Sequence, residues 1–126
     1  MSFDAQRLKA EALKVVGRFQ CSEDCRAGGI AAALQSENGK IFTGISIDTV
    51  CGLGFCAEHA AIAEMLKHRQ TRIIAIIAVK AEGSIKAPCG RCREFIHQVN
   101  EANWDTQVIL SDSVTISLRE LLPHRV

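Results

Sequence analysis

The chain has 126 residues, of which 48% are hydrophobic and 23% charged, with 15 basic side chains against 14 acidic ones. This length suits one domain with one core, and the hydrophobic share excludes an intrinsically disordered chain. The formal net charge of +1 offers no long-range attraction to nucleic acid or to an anionic membrane surface. We therefore expect a single domain over residues 1–126, with no nucleic-acid partner and no membrane partner.

Six cysteines are the unusual feature of the composition. The N-terminus, from Met1 to Arg7, reads as a polar helix start rather than a signal peptide. The most apolar stretch, from Ile73 to Val79, is far shorter than the roughly 20 residues that a membrane-spanning helix needs. We therefore expect a cytoplasmic, reduced protein, in which clustered cysteines bind metal or do chemistry more often than they pair.

Hydrophobic periodicity and turn residues predict alternating helices and strands. In the first half of the chain, the predicted elements are a helix at 4–19, a loop at 20–29, strands at 30–34 and 40–47, a loop at 48–55 and a helix at 56–69. In the second half they are a strand at 73–79, a helix at 89–101, a strand at 108–110 and a last turn of helix from Ser117 to Leu122. Residues 115–116 are a candidate for one more short strand. This order predicts an α/β fold in which a mixed sheet carries helices on both faces.

Three of the cysteines lie where predicted helices begin. Cys56 opens one helix, while Cys89 and Cys92, directly after Pro88, open another. Residues three apart share one face of a helix turn, and the free N–H groups of a helix N-terminus lower thiol pKa values. Three thiolates form a soft tetrahedral site with one position open, which is the arrangement of a catalytic zinc ion.

Glu58 follows the first of these cysteines by two residues. Positions two apart on a helix diverge by about 200°, so Glu58 does not join Cys56 on the same metal. It can stand beside the open position, take a proton from a water molecule and deliver it to a substrate. We therefore predict that Glu58 is the catalytic acid and base.

These residues form the pattern Cys-x-Glu followed by Pro-Cys-x-x-Cys, which is typical of zinc deaminases. The chain resembles the cytidine deaminase superfamily from about residue 30 to residue 123, and in particular the small enzymes that act on free nucleosides with three cysteine ligands. Three segments look especially like blasticidin S deaminase: 39–44, 84–93 and 119–123.

The resemblance implies a three-layer α/β/α fold with a mixed five-stranded sheet. It also implies one Zn²⁺ per subunit and a homotetramer, with a dimer as the alternative, whose active sites draw on neighbouring subunits. The implied reaction is hydrolytic conversion of a 4-aminopyrimidine to the 4-oxo form with release of ammonia.

The resemblance also suggests roles for residues around the metal. Three thiolates and Zn²⁺ carry a formal charge of −1, and many relatives offset it with an arginine directly after the catalytic glutamate. This chain has His59 there, so we assign Arg91 the role of hydrogen-bonding a thiolate. Relatives hold the ribose with an Asn-x-Glu pair, which is replaced here by Ser46 and Asp48. The predicted substrate contacts are Ser46, Asp48, Ala57 and His59.

The leading hypothesis is a zinc-dependent hydrolase that deaminates cytidine, deoxycytidine or a modified cytosine nucleoside. A blasticidin S deaminase-like aminohydrolase is the alternative. A non-catalytic zinc-containing binding protein is the second alternative, and the intact Glu58 argues against it. Cys21, Cys25 and Cys51 are not in ligand spacing with the zinc set. We expect them to be small buried or pocket-lining residues, although Cys21 and Cys25 could bind metal or oxidise.

Overall fold

The computed structural model describes residues 2–125, so the two terminal residues of the predicted domain lie outside the described part of the chain. The helices are α1 (Ala5–Leu13), α2 (Ala57–Lys67), α3 (Gly90–Val99) and α4 (Leu118–Leu121), with 3-10 turns at Val50–Gly52 and Glu101–Asp105. The strands are β1 (Phe19–Ser22), β2 (Cys25–Ser36), β3 (Ile41–Thr49), β4 (Ile73–Lys80), β5 (Gln107–Ile109) and β6 (Thr115–Ser117). No helix of residues 2–125 is long and apolar enough to cross a membrane.

The long strand β2 organises the sheet. It pairs antiparallel with β3 along one edge, and with β1 and then β4 along the other edge. The sheet continues from β4 to β5 in parallel and from β5 to β6 antiparallel. Its six strands are one more than predicted, because β1 and the start of β2 occupy the predicted loop at 20–29. All four residues of β1 are exposed, so its sequence has no alternation of hydrophobic and polar residues from which the strand could be predicted.

Side chains on the two sheet faces enter two separate cores, as a three-layer fold requires. On one face, α2 and α3 pack over residues such as Leu34 and Ile76. On the other face, Leu8 of α1 packs over residues such as Ile77. Because β4 is covered on both sides, its first seven residues are all buried. The predicted three-layer α/β/α architecture is confirmed.

Helix α1 ends earlier than its hydrophobic spacing predicts. Asp4 caps its start, and the carboxylate accepts hydrogen bonds from the backbone N–H groups of Gln6 and Arg7. The helix stops at Leu13 rather than at residue 19. Beyond it, the N–H of Gly17 donates a hydrogen bond of 2.8 Å to the carbonyl of Gly28. This bond attaches the segment after α1 to the edge of β2.

The buried side chain of Asn103 fixes the far end of α3. Its amide accepts a hydrogen bond from the N–H of Ile73 at 2.8 Å and donates to the carbonyls of Ile96 and Thr71. One side chain thereby links the end of α3 to the start of β4. Such fully satisfied buried amides hold elements in one relative position.

Gly44 of β3 sets how closely α2 approaches the sheet. A methyl group at Gly44 would lie 2.3 Å from the backbone nitrogen of Ala61, 2.6 Å from the Cβ of Ala60 and 2.7 Å from the carbonyl oxygen of Ala57. These distances leave no space for a side chain. The residues of α2 at this contact are alanines, whose small side chains let the helix backbone pack almost directly on the strand.

We therefore expect Gly44→Ala to destabilise the fold by about 1–3 kcal/mol through overpacking. Urea unfolding followed by circular dichroism measures this loss. The matched control is Gly90→Ala, because nothing lies within 4 Å of a Cβ at Gly90; removing a helical glycine there is expected to leave stability equal or slightly higher. Equal stability of the Gly44 variant and the wild type would contradict the close contact.

Candidate active site

The three cysteines singled out by the sequence meet in space. Cys56 is the residue that precedes α2, and Cys89 is the residue that precedes α3; both have extended backbone. Cys92 lies in the first turn of α3 and is buried. The Sγ atom of Cys89 lies 3.5 Å from those of Cys56 and Cys92, and all three sulfurs are within 4.8 Å of one another.

This separation suits a metal ion of one particular kind. In a tetrahedral zinc site the zinc–sulfur distance is about 2.3 Å, which places neighbouring sulfur atoms about 3.8 Å apart. The three thiols therefore fit one zinc ion, with a fourth position left for water or substrate. Within residues 2–125, no fourth cysteine, histidine or carboxylate joins the group whose ligand atoms all lie within 4.8 Å of one another, so the site is not a closed, structural one.

The surroundings of the three thiols shift their pKa values. Burial raises the pKa of Cys56, and it raises the pKa of Cys92 far more strongly. Burial opposes ionisation of Cys89 as well, but hydrogen bonds from the backbone and side chain of Cys92, the thiol of Cys56 and the backbone of Arg91 together lower the pKa of Cys89. Binding of a metal requires all three thiols to lose their protons, and Cys89 is the one whose surroundings favour the thiolate.

Glu58 lies in the first turn of α2 and is only 3% exposed. Burial raises the pKa of its carboxyl group, and the charge of Lys86 and a hydrogen bond with Cys92 oppose that rise in part. A carboxyl group with a raised pKa can both accept and donate a proton near neutral pH. The structure thus brings Glu58 beside the thiols and onto the wall of a cavity.

The cavity has a volume of about 710 Å³ and opens beside the N-terminus of α2. Three of the predicted substrate contacts, Ser46, Asp48 and Ala57, line it. Ser46 has a second task, because its hydroxyl accepts a hydrogen bond from the N–H of Ile30 at 3.0 Å. The segment predicted as a loop forms another wall and contains the 3-10 turn, in which Cys51 adopts φ +60°.

His59 lies behind the thiols rather than in the cavity where the sequence analysis placed it. Its Nδ1 atom is 3.6 Å from the Sγ of Cys92, and its ring stacks on Phe95 with centroids 4.4 Å apart and planes at 10°. Burial, aided by the charge of Arg91, lowers the pKa of His59. Both effects favour the neutral imidazole, which has one N–H to donate.

Arg91 occupies the place that the sequence analysis gave to His59. Its side chain is exposed and lines the cavity, and among residues 2–125 it makes no hydrogen bond to a cysteine sulfur. The reason is helical geometry: Arg91 stands between Cys89 and Cys92 along α3, so it points about 100° away from the latter. His59, three residues after Cys56, lies on the face of α2 that meets α3.

Sequence reasoning missed three cations that line the cavity, namely Arg18, Lys80 and Lys86. They come from separate elements, so no spacing along the chain connects them. The remaining cysteines stand apart from the metal cluster: Cys21 neighbours Cys25 at the β1–β2 hairpin, and Cys51 is exposed. Cys21 and Cys51 are thus more exposed than predicted.

Comparisons with known proteins agree with this geometry. A sequence model of the cytidine and deoxycytidylate deaminase zinc-binding region matches residues 3–106. Cytidine deaminase of Halalkalibacterium halodurans is 31% identical over 99 residues, which are 75% of this chain and 74% of that protein. Cytidine deaminase of Mycobacterium tuberculosis is 34% identical over 68 residues, 53% of this chain. That match spans about half the length of the relative, 51%.

Solved structures give the same result over the whole fold. The crystal structure of cytidine deaminase from Mycobacterium tuberculosis superposes with a TM-score of 0.82 at 26% identity, covering 98% of this chain and 97% of that one. The enzyme from Burkholderia pseudomallei gives 0.75 at 25% identity, covering 98% and 100%. With the three converging thiols, these matches establish the metal as zinc. The chain belongs to the cytidine and deoxycytidylate deaminase zinc-binding family.

Proposed function

We propose that this protein catalyses the zinc-dependent hydrolytic deamination of a free cytosine nucleoside, such as cytidine, deoxycytidine or a modified relative. The products are the uracil form and ammonia. The observation that carries the proposal is the buried carboxyl group of Glu58 at the wall of a cavity, beside three thiols that fit one zinc ion. The relatives named cytidine deaminases support the same substrate class.

Cys56, Cys89 and Cys92 would hold the zinc ion, which when bound would supply Lewis acidity that lowers the pKa of a water molecule. Glu58 accepts a proton from the attacking water and delivers it to ring N3 of the cytosine. An oxygen–carbon bond forms at C4, and the bond from C4 to the amino nitrogen then breaks. Glu58 carries the second proton of the water to the departing amine, which leaves as ammonia.

His59 supports the ligand set in this proposal. In the tautomer that carries its proton on Nδ1, the neutral imidazole donates to the Sγ of Cys92, 3.6 Å away, and withdraws electron density from that thiolate. This offsets part of the negative charge that three thiolates bring to a doubly charged metal. The stacked ring of Phe95 holds the imidazole in that orientation.

The substrate-binding part of the proposal rests on Ser46, Asp48 and Ala57, which line the cavity. A blasticidin S deaminase-like activity is the alternative, supported by the replacement of the ribose-holding pair by Ser46 and Asp48. A non-catalytic zinc protein is disfavoured, because a structural site makes no use of a buried acid at its open position.

We also propose that the protein is a cytoplasmic homo-oligomer, a tetramer or a dimer, built from one domain per chain. Val50, Leu53 and Phe55 lie in the segment before α2 that contributes Thr49, Gly52, Gly54 and Phe55 to the cavity wall, and their apolar side chains are 54%, 77% and 38% exposed. Contiguous exposed apolar side chains favour contact with another protein surface. All six cysteines are free thiols, which supports a reducing compartment.

Replacing Glu58 with glutamine removes the proton carrier while keeping its size. We expect kcat for cytidine to fall by about 10²–10⁴-fold, with zinc content and melting temperature retained. Ammonia release and the change in ultraviolet absorbance of the base measure the reaction. The matched control is Glu64→Gln on the outer face of the same helix, which should leave kcat unchanged. Undiminished turnover by the Glu58 variant would refute its role.

Metal analysis tests the ligand set. We expect about one zinc ion per chain in the wild type, and much less after Cys92→Ser, because two ligands hold zinc far more weakly than three. Cys25→Ser is the control and should retain zinc. A wild-type protein that is folded and active with no zinc would contradict the site.

The position of His59 behind Cys92 predicts an effect on the metal itself. We expect His59→Ala to weaken zinc binding by about 10–100-fold, measured by competition with a chromogenic chelator. The control His68→Ala, at the other end of α2, should bind zinc as tightly as the wild type. If His59→Ala also matched the wild type, the proposed support of the thiolate would be wrong.

A further inference from the structure

The edge of β2 contains a short opening. Strand β1 pairs with this edge as far as Ala27, and β4 pairs with it from Ile30 onward. Gly28 and Gly29 lie between the two, opposite an irregularity in the pairing with β3. Because two different strands end at this point, the side chains next to their ends converge on it.

Arg18 is held at this opening by a glycine-dependent backbone contact. The N–H of Gly17 donates to the carbonyl of Gly28 over 2.8 Å. Gly28 has φ +85°, and a Cβ there would lie 2.1 Å from the carbonyl oxygen of Gly17, so this approach excludes any side chain. The guanidinium group of Arg18 then lies across Gly29, 3.5 Å from where that residue's Cβ would be.

Lys80 stands on the other side of the opening and on the cavity side of the sheet. It pairs in register with Ile30, whose N–H is bound by the hydroxyl of Ser46. Lys80, Ile30 and Ser46 thus form one row across three strands. Ser46 is two residues beyond Gly44, on which α2 rests. Ile47, the next residue of β3, forms a bridge with Phe55, the residue before Cys56, so this row lies close to where the chain enters α2.

Four cations line the cavity, namely Arg18, Lys80, Lys86 and Arg91. The charge of Lys86 partly opposes the rise that burial causes in the pKa of Glu58, and the charge of Arg91 adds to the fall that burial causes in the pKa of His59. Arg18 and Lys80 line the same cavity, and within residues 2–125 neither forms an ion pair.

Two carboxylates besides that of Glu58 line the cavity. Glu82 accepts a hydrogen bond from the hydroxyl of Ser84, and that bond, more than the nearby charge of Lys80, lowers its pKa. Asp48 lines the cavity from β3 and can accept hydrogen bonds from sugar hydroxyls. The guanidinium group of Arg18 remains a planar donor with no protein acceptor in the described chain.

We propose that Arg18 and Lys80 form a subsite for an anionic group, phosphate or carboxylate, carried on the sugar of a cytosine nucleoside. A guanidinium group binds such anions through two parallel N–H···O bonds, and an ammonium group adds a second charge. The base then reaches Glu58 while the anion lies at the opening of the sheet. This inference rests on the proposed deaminase function and narrows its substrate class.

The test compares substrates that differ only in the charged group. Zinc-loaded protein is assayed with cytidine, cytidine 5′-monophosphate, cytidine 3′-monophosphate and the 5′-carboxylate of cytidine at low ionic strength. We expect kcat/KM to be at least about tenfold higher for one of the charged substrates than for cytidine. That preference should decline with added salt, and the preferred arm identifies the anion. Equal or lower values for all three charged substrates would overturn the proposal.

Substitution locates the subsite. Arg18→Gln should lower kcat/KM for the preferred charged substrate about tenfold and change that for cytidine less than about twofold, with Lys80→Gln acting in the same direction. The matched control is Arg7→Gln on α1, beyond the opposite face of the sheet, which should change neither value. Equal losses for charged and neutral substrates, or an equal effect of Arg7→Gln, would place the anion elsewhere.

A binding measurement keeps the test independent of turnover. The preferred charged nucleoside should raise the melting temperature of the wild type more than cytidine does, and Arg18→Gln should remove that difference. Arg18→Lys keeps the positive charge but loses the two parallel N–H donors of the guanidinium group. Its difference in melting-temperature shift should lie between those of the wild type and Arg18→Gln. Turnover of cytidine with no charge preference refutes this subsite alone, whereas a lack of turnover with every cytosine compound refutes the proposed function.

Discussion

The contact between Gly44 and the first two turns of α2 is the constraint on which the site depends. Because no side chain separates strand and helix at that point, the N-terminus of α2 lies directly over the sheet. Cys56 and Glu58, at the start of that helix, are therefore delivered to one place with little freedom. A side chain at Gly44 would move both groups together, since a close-packed interior transmits such a shift.

The second helix is held from its opposite end. Asn103 ties the end of α3 to the start of β4, and the opposite end of α3 carries Cys92 in its first turn and Cys89 directly before it. Two helix N-termini meet in this way, each with free N–H groups that favour anions. The cost of bringing three sulfurs together is offset by a cation, so metal binding and folding of this region reinforce each other.

Chemistry and recognition are assigned to different elements. The thiols, Glu58 and His59 lie at the start of the helices, where burial shifts the pKa values of Glu58 and His59. In the proposed function, recognition falls to Ser46 and Asp48 on β3, and in the proposed subsite to Arg18 and Lys80; all four line the cavity.

The spacing of Cys56, Glu58, Cys89 and Cys92 predicted the metal and the candidate acid, and it carried the resemblance to the family. It could do so because Cys56 and Glu58 lie two residues apart, and Cys89 and Cys92 three apart, each pair at the start of one helix whose geometry is local. Helix periodicity and the buried run of β4 likewise determined the layers. The polar strand β1 left no pattern, since an exposed edge strand needs none. The exchanged positions of His59 and Arg91, and the placing of Arg18 and Lys80 on the wall of one cavity, were decided only by tertiary packing. Which side chain faces a thiol or an opening depends on how two distant elements cross, and no spacing along one chain encodes that.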